Sequence, residues 1–306
     1  NSIGLKGTSK NLFAGFRFGN KTHADYLQGG GDYVPNSRFN EMTFNANTGY
    51  TGKIGTFKLF YDYFKQDLGM TVPAVNPLIT KQGRKNEIWF QDLEHQLLSS
   101  QNTLYLSKFR WNINVAYQKA LRKLQTTLDV PFVEMNLNTI TYETKLYLPS
   151  DDKSEYIIGL QGMLQNNRNL NDRASQFLPD ANINNIGLLG LVQYTFFEKL
   201  KLQGGLRFDM YKTETFALGI EGTSNYHAPV NKEFSSLNGS IGATYSVNKK
   251  TMLRANFAKG YRVPNLSELT SNGMHGNRYE IGNENLSPEN SYETDLSMHY
   301  HGEFLS

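Results

Sequence analysis

The chain has 306 residues, 31 basic and 28 acidic side chains, a formal net charge of +3 and no cysteine. Without cysteine there is no disulfide framework, no thiolate catalysis and no cysteine-based zinc or iron–sulfur site, and so small and interspersed a charge offers no footprint for nucleic acid or an acidic partner. The 18 Tyr, 19 Phe and 27 Gly against 9 Pro, at a negative mean hydropathy, suit aromatic-rich strands joined by polar loops.

The opening NSIGLKGTSK lacks a basic start and an apolar core, so it is not a signal peptide; it reads as the interior of a longer protein. No apolar run approaches the roughly 20 residues of a membrane helix. A soluble protein and a membrane β-barrel look alike on that test.

Taken in order, nearly every segment alternates with the period of a strand. Strands are expected at 2–7, 12–25, 39–50, 54–66, 94–106, 111–121, 137–148, 155–166, 183–197, 201–213, 234–247, 251–262 and 290–301. In 54–66, Phe57, Leu59, Tyr61 and Tyr63 oppose Lys58 and Asp62. In 201–213, Leu202, Leu206, Phe208 and Met210 oppose Lys201, Arg207 and Asp209. In the last strand, Tyr292, Leu296, Met298 and Tyr300 oppose Glu293, Asp295, His299 and His301.

Connections alternate between short and long. Short turns fall near 9, 52, 108, 151, 198 and 249; long loops fall at 27–38, 68–92, 122–135, 167–182, 214–232 and 263–289. The glycine run 29–31 has no helix start behind it, so it reads as a flexible loop and not a phosphate cradle. One trimmed end and one elaborate end is the polarity of an outer-membrane barrel, with short periplasmic turns and long outside loops. Tyr147, Phe196, Phe197, Tyr245, Tyr292 and Tyr300 lie near strand ends, where an interfacial girdle would place them. The fold class expected is all-β, an antiparallel up-and-down transmembrane barrel with about 13 strands in this chain. A soluble sheet with one buried face alternates in the same way and is the competing reading.

The densest stretch is 256–295, NFAKGYRVPNLSELTSNGMHGNRYEIGNENLSPENSYETD. Pro264 ends the ladder because it has no N–H. The residues here resemble the TonB-dependent outer-membrane receptors. The resemblance rests on Phe257, Gly260, Tyr261, Arg262 and Pro264, followed by Leu266, Glu268 and Leu269. It continues through Gly273 and His275, then Arg278, Tyr279, Glu280, Gly282 and Asn283, then Leu286, Pro288, Glu289 and Ser291. The GGGDYVPNSRFNE and YDYFKQDLG stretches are also similar to this family.

The resemblance implies a 22-stranded barrel filled by an N-terminal plug that carries the TonB box. Residues 1–306 would then be part of the barrel domain. The plug and about one strand would precede Asn1, and roughly eight strands would follow Ser306. It implies an outer-membrane receptor of a Gram-negative bacterium, in contact with lipid and, through the plug, with the TonB complex. The ligand would be scarce, an iron–siderophore or other metal complex; haem, cobalamin and a glycan fit the same pattern. No resident cofactor, metal or catalytic residue is implied.

Candidate ligand contacts on the outer loop are His275, Arg278, Tyr279 and Arg262. Neutral imidazole can ligate a metal complex, and guanidinium attracts an anionic siderophore. The plainer readings are a histidine bonded within its loop and arginines paired to Glu280 or Glu268. His299 and His301 share a strand face but make an incomplete metal site by themselves. Lys201, Arg207, Asp209, Glu293 and Asp295 are expected to face the lumen. A passive porin would share the strand pattern and lack a plug. An outer-membrane enzyme would need a nucleophile and base at the loop end; His227 is a candidate without a motif around it.

Overall fold

The computed structural model describes residues 1–171, 176–275 and 278–302. The strands are β1 (Ser2–Ser9), β2 (Leu12–His23), β3 (Phe39–Gly52), β4 (Gly55–Gly69), β5 (Phe90–Leu106) and β6 (Phe109–Gln125). They continue as β7 (Val133–Tyr147), β8 (Ser154–Asn169), β9 (Ala181–Phe196), β10 (Leu200–Thr215), β11 (Asn231–Ser246) and β12 (Thr251–Arg262). A helix α1 (Leu266–Thr270), a hairpin of β13 (Asn272–His275) and β14 (Arg278–Ile281), and β15 (Glu289–Tyr300) follow. Twelve successive strands and β15 form one antiparallel 13-stranded sheet in sequence order, and β13 pairs only with β14.

Register shows how the sequence sorts its two faces. Gln101, Asn114, Glu143, Gln161, Gly187, Asp209 and Ser236 are successive cross-strand partners from β5 to β11. One residue along, Leu160, Leu188, Phe208 and Leu237 are successive partners from β8 to β11. A slip of one residue in any strand would exchange these sets. The apolar face is uncovered: Leu188 is 62% exposed, Leu206 64% and Leu296 80%. Apolar surface on this scale, continuous across strands, faces lipid and not water, which removes the soluble reading. Among the described residues, the buried apolar side chains Val75, Ala181, Val230 and Leu269 all lie at the long-loop end.

Three expectations need correction. Several strands run further toward the long loops than the alternation suggested: β5 starts at Phe90 and β6 ends at Gln125. Cross-strand ion pairs carry them on, with Lys65 Nζ 3.6 Å from Asp92 and Lys123 Nζ 3.0 Å from Glu134. The stretch 263–289 is not a plain loop, since it holds α1 and the β13–β14 hairpin. Tyr147 is not on the apolar face: it pairs with Arg110 on the polar side, and the Arg110 guanidinium lies 3.7 Å above its ring.

Candidate functional site

The long-loop rim is where side chains are fastened most densely. β12 stops at Arg262 because Pro264 cannot continue the ladder. Asn265 then caps α1: its Oδ1 accepts from the Glu268 amide at 3.0 Å, and its own amide donates to Glu268 Oε2 at 2.8 Å. This reciprocal pair is a capping box, which satisfies two donors that a helix start otherwise leaves open. Arg262 Nη1 donates to both Glu268 oxygens at 3.0 and 2.8 Å, and Nε donates to Glu289 Oε2 at 3.0 Å. The Arg262 hydrogen bond, then the Asn265 amide, holds the Glu268 carboxyl below the usual glutamate range. Signature residues far apart in sequence therefore close one knot at the mouth of the loop.

The return path is fixed by backbone. Gly282 N donates to Ser271 O at 2.7 Å, and Asn283 N to Glu268 O at 2.8 Å. A Cβ on Gly282 would stand 2.5 Å from Thr270 N and 2.7 Å from Leu269 C, so only glycine lets the chain pass the end of α1. Leu269 beneath is 2% exposed.

The hairpin leans on its neighbours. Tyr279 donates its hydroxyl to Asn272 Oδ1 at 2.8 Å, and Asn272 Nδ2 reaches Ser224 O and Tyr226 O in the β10–β11 loop. His275 Nδ1 lies 3.1 Å from Glu280, and its ring packs on Phe177 at 5.1 Å between centroids. Arg278 is exposed and pairs with His275 through the backbone ladder, while its guanidinium makes no hydrogen bond or ion pair among the described residues. Of the four outer-loop candidates, Arg262 is thus held in the knot, while His275, Arg278 and Tyr279 sit together on the hairpin with exposed surface. His227 is buried, with Nδ1 3.1 Å from Thr270 O and Nε2 2.7 Å from Gln176 O. It ties three loops together.

A second fastened unit joins the β2–β3 and β4–β5 loops. Buried Asp25 and Arg38 form a bidentate pair, and Arg38 also donates to Lys85 O at 2.9 Å and Lys81 O at 3.0 Å. Gly83 N donates to Asp25 Oδ2 at 3.2 Å. Buried Asn36 donates to Trp89 O at 2.7 Å and Met70 O at 3.1 Å. Alternation places Asp25 at the end of the 12–25 strand and Asn36 and Arg38 in the 27–38 loop, whereas β2 stops at His23 and all three residues lie between β2 and β3; the available signal was an Asp and an Arg flanking a glycine-rich loop.

On the polar face, Arg207 Nε donates to Asp209 at 2.7 and 2.9 Å, and Nη1 to Gln161 at 2.8 Å. Gly187 lies between: a Cβ there would meet the Arg207 Nη2 and Asp209 Oδ1 atoms at 2.3 Å. Register puts Lys201, Glu293 and Asp295 on this same face, through Thr244, Arg254 and Ser297 and through Asn256. Ser99, Asn114, Thr141, Glu143, Gln161 and Arg207 border one open cavity of about 430 Å³ across these strands. The His299 and His301 rings stack at 5.4 Å. Among the described residues no three His, Asp or Glu side chains are grouped to hold a metal ion.

Residues 4–306 match a family model described as TonB dependent receptor-like, beta-barrel. No curated protein sequence matches the chain. Among solved structures, the hemophore receptor HasR of Serratia marcescens, determined with its hemophore HasA and heme, aligns with a TM-score of 0.72 at 13% identity over 97% of this chain and 48% of that one. The FrpB iron transporter from Neisseria meningitidis aligns at 0.72 and 14% identity, over 99% of this chain and 50% of that one. The ferric yersiniabactin uptake receptor FyuA from Yersinia pestis aligns at 0.65 and 13% identity, over 99% and 50%. The chain spans about half the length of these structures, and identities this low establish a shared fold.

Proposed function

The chain belongs to the TonB-dependent receptor β-barrel family, and from that premise we propose that the protein it forms part of takes up a scarce iron–siderophore or similar metal complex by TonB-dependent transport. It is an outer-membrane β-barrel of a Gram-negative bacterium. Proteins of similar fold carry names for iron, ferric-siderophore, heme and copper uptake, which makes a metal complex the first class to test.

The observation that carries the proposal is the arrangement at the long-loop rim. Arg262, Glu268 and Glu289 fasten the base of the signature loop, and His275, Arg278 and Tyr279 stand on the hairpin beyond it. A fastened base with an exposed tip that mixes cation, imidazole and phenol suits capture of a large anionic chelate. In this reading the tip touches ligand, and a plug domain makes the contact to the TonB complex. The polar-face charges Lys201, Arg207, Asp209, Glu293 and Asp295 line the lumen around it. No covalent chemistry is required of any residue.

Growth of a strain lacking the gene, under iron limitation, tests the ligand class. Ferric catecholate, ferric hydroxamate, haem and a copper salt would be supplied singly. The proposal expects one iron source to support growth only when the full-length gene is restored. Equal growth with and without the gene on every source would refute it.

A further inference from the structure

The short-turn rim carries a feature that uptake does not use. Every short turn of the described sheet holds an exposed lysine: Lys10 after β1, Lys53 after β3, Lys108 after β5, Lys153 after β7, Lys199 after β9 and Lys249 after β11. Acidic side chains occur in only two of these turns, as Asp151, Asp152 and Glu198. Asp151 is already engaged by the Ser154 hydroxyl at 2.6 Å and the Lys153 amide at 3.0 Å. The rim is therefore a belt of positive charge on a chain whose total is only +3.

Its neighbours say what the belt meets. Exposed Leu106, Phe109, Trp111, Phe196 and Tyr245 lie within a few residues of the lysines, and Ile54 and Phe197 stand in the turns themselves at 66% and 89% exposure. Trp111, Phe196 and Tyr245 are on the apolar face of the sheet, where rings mark the level of lipid headgroups. Lysines just past such rings sit at phosphate depth, with their stems on apolar surface and their ammonium groups in the headgroup layer. A rim meant for water or for an acidic protein has no use for bare isoleucine and phenylalanine at its tips.

We propose that this rim is a docking surface for anionic phospholipid headgroups of the periplasmic leaflet, which hold the barrel at fixed depth. Short turns are the periplasmic ones in barrels of this kind. The inference rests on the membrane barrel and not on the uptake reading. Each lysine near an anionic surface is worth about fivefold in association, so several together give a selectivity that salt screens.

Trp111 provides the readout. The full-length receptor in neutral detergent is titrated with brominated phosphatidylglycerol or brominated phosphatidylcholine. The Trp111 signal is taken as the difference from Trp111→Phe. The expected result is half-quenching at an anionic lipid ratio about fivefold or more below that of the zwitterionic lipid. The combined variant Lys10→Ser, Lys53→Ser, Lys108→Ser and Lys249→Ser brings the two midpoints together. Should that variant fail to assemble, the unmodified protein in raised salt carries the same test, and its preference must shrink. Equal midpoints in the unmodified protein would overturn the proposal and leave an acidic protein partner as the reading. A preference that survives both the substitutions and high salt would overturn it too.

Discussion

Arg262 and Glu268 face each other across the bend at Pro264, one guanidinium nitrogen donating to both carboxylate oxygens at 3.0 and 2.8 Å. Glu268 simultaneously caps the helix it starts, through the Asn265 amide at 2.8 Å. One carboxylate therefore sets both the direction of the chain leaving the barrel and the first turn after it. With Glu289 on its other side, the Arg262 charge is already compensated.

Removing the cap alone should loosen α1 without disturbing the barrel. Asn265→Ala is expected to cost about 1 kcal/mol locally. Hydrogen exchange at the Glu268 and Leu269 amides should speed up about fivefold, and strand amides should not change. Unchanged exchange at both amides would mean the capping box is not what orders the turn.

Gly282→Ala tests the close passage past α1. The added Cβ would press on the Thr270 and Leu269 backbone at 2.5 and 2.7 Å, and backbone cannot step aside as a flexible side chain can. Ligand binding should fall about tenfold or more, a change of about 1.4 kcal/mol, while the barrel still assembles. Gly29→Ala, where nothing stands within 4 Å, is the control expected to bind normally.

The Asp25–Arg38 clip has a defined pH window. Burial alone would push the Asp25 carboxyl up, but the Arg38 hydrogen bond, the Gly83 amide and the Arg38 charge together hold it below its ordinary value of 3.8. A depressed carboxylate contributes stability above its unfolded value and loses that stability as pH falls through the folded one. The two loops should stay joined through mildly acidic conditions and part only below 3.8. Emission from Trp89, whose carbonyl Asn36 holds, reports the opening; a transition near pH 5 would contradict the assignment. Arg38→Ala should cost about 3–5 kcal/mol in the same loops by leaving a buried carboxylate unpaired.

On the polar face, Gly187→Val should displace Arg207 from Asp209, because the space above Gly187 is occupied by both side chains. Heat-modified mobility of the assembled barrel should show a lowered unfolding midpoint. Gly190→Val, at a glycine with nothing within 4 Å, should leave the midpoint in place.

The sheet was legible because each strand obeys one period. Leu206, Phe208 and Met210 cannot trade faces with Arg207 and Asp209 without a register slip, so alternation alone located β10 within a few residues. Strand ends were harder to read, because Lys65, Asp92, Lys123 and Glu134 continue the ladder by charge after the apolar signal has ended. Tyr147 was misplaced for a related reason: nearness to a strand end says nothing about face, and its partner Arg110 is set by register. In the loop, Arg262 and Glu268 were readable as a pair, whereas α1 was hidden in five residues, too short for a helical period. The Asp25–Arg38 clip depends on contacts with residues 81–85, more than forty positions onward, which no local pattern encodes.

Substitution at the hairpin tip separates capture from assembly. His275→Ala, Arg278→Ala and Tyr279→Ala together should weaken binding of the iron source identified by growth by about tenfold or more, with normal amounts of folded protein in the outer membrane. Unchanged binding would move the ligand contact away from this hairpin.

The central claim is energised uptake through a barrel of this family. Accumulation of radio-iron, supplied as that iron source to cells making the full-length protein, tests it most directly, with and without a protonophore. The account predicts accumulation above the external concentration that stops when the proton-motive force collapses, while binding at the cell surface persists. Entry that continues at the same rate after collapse would identify a passive channel and contradict the account.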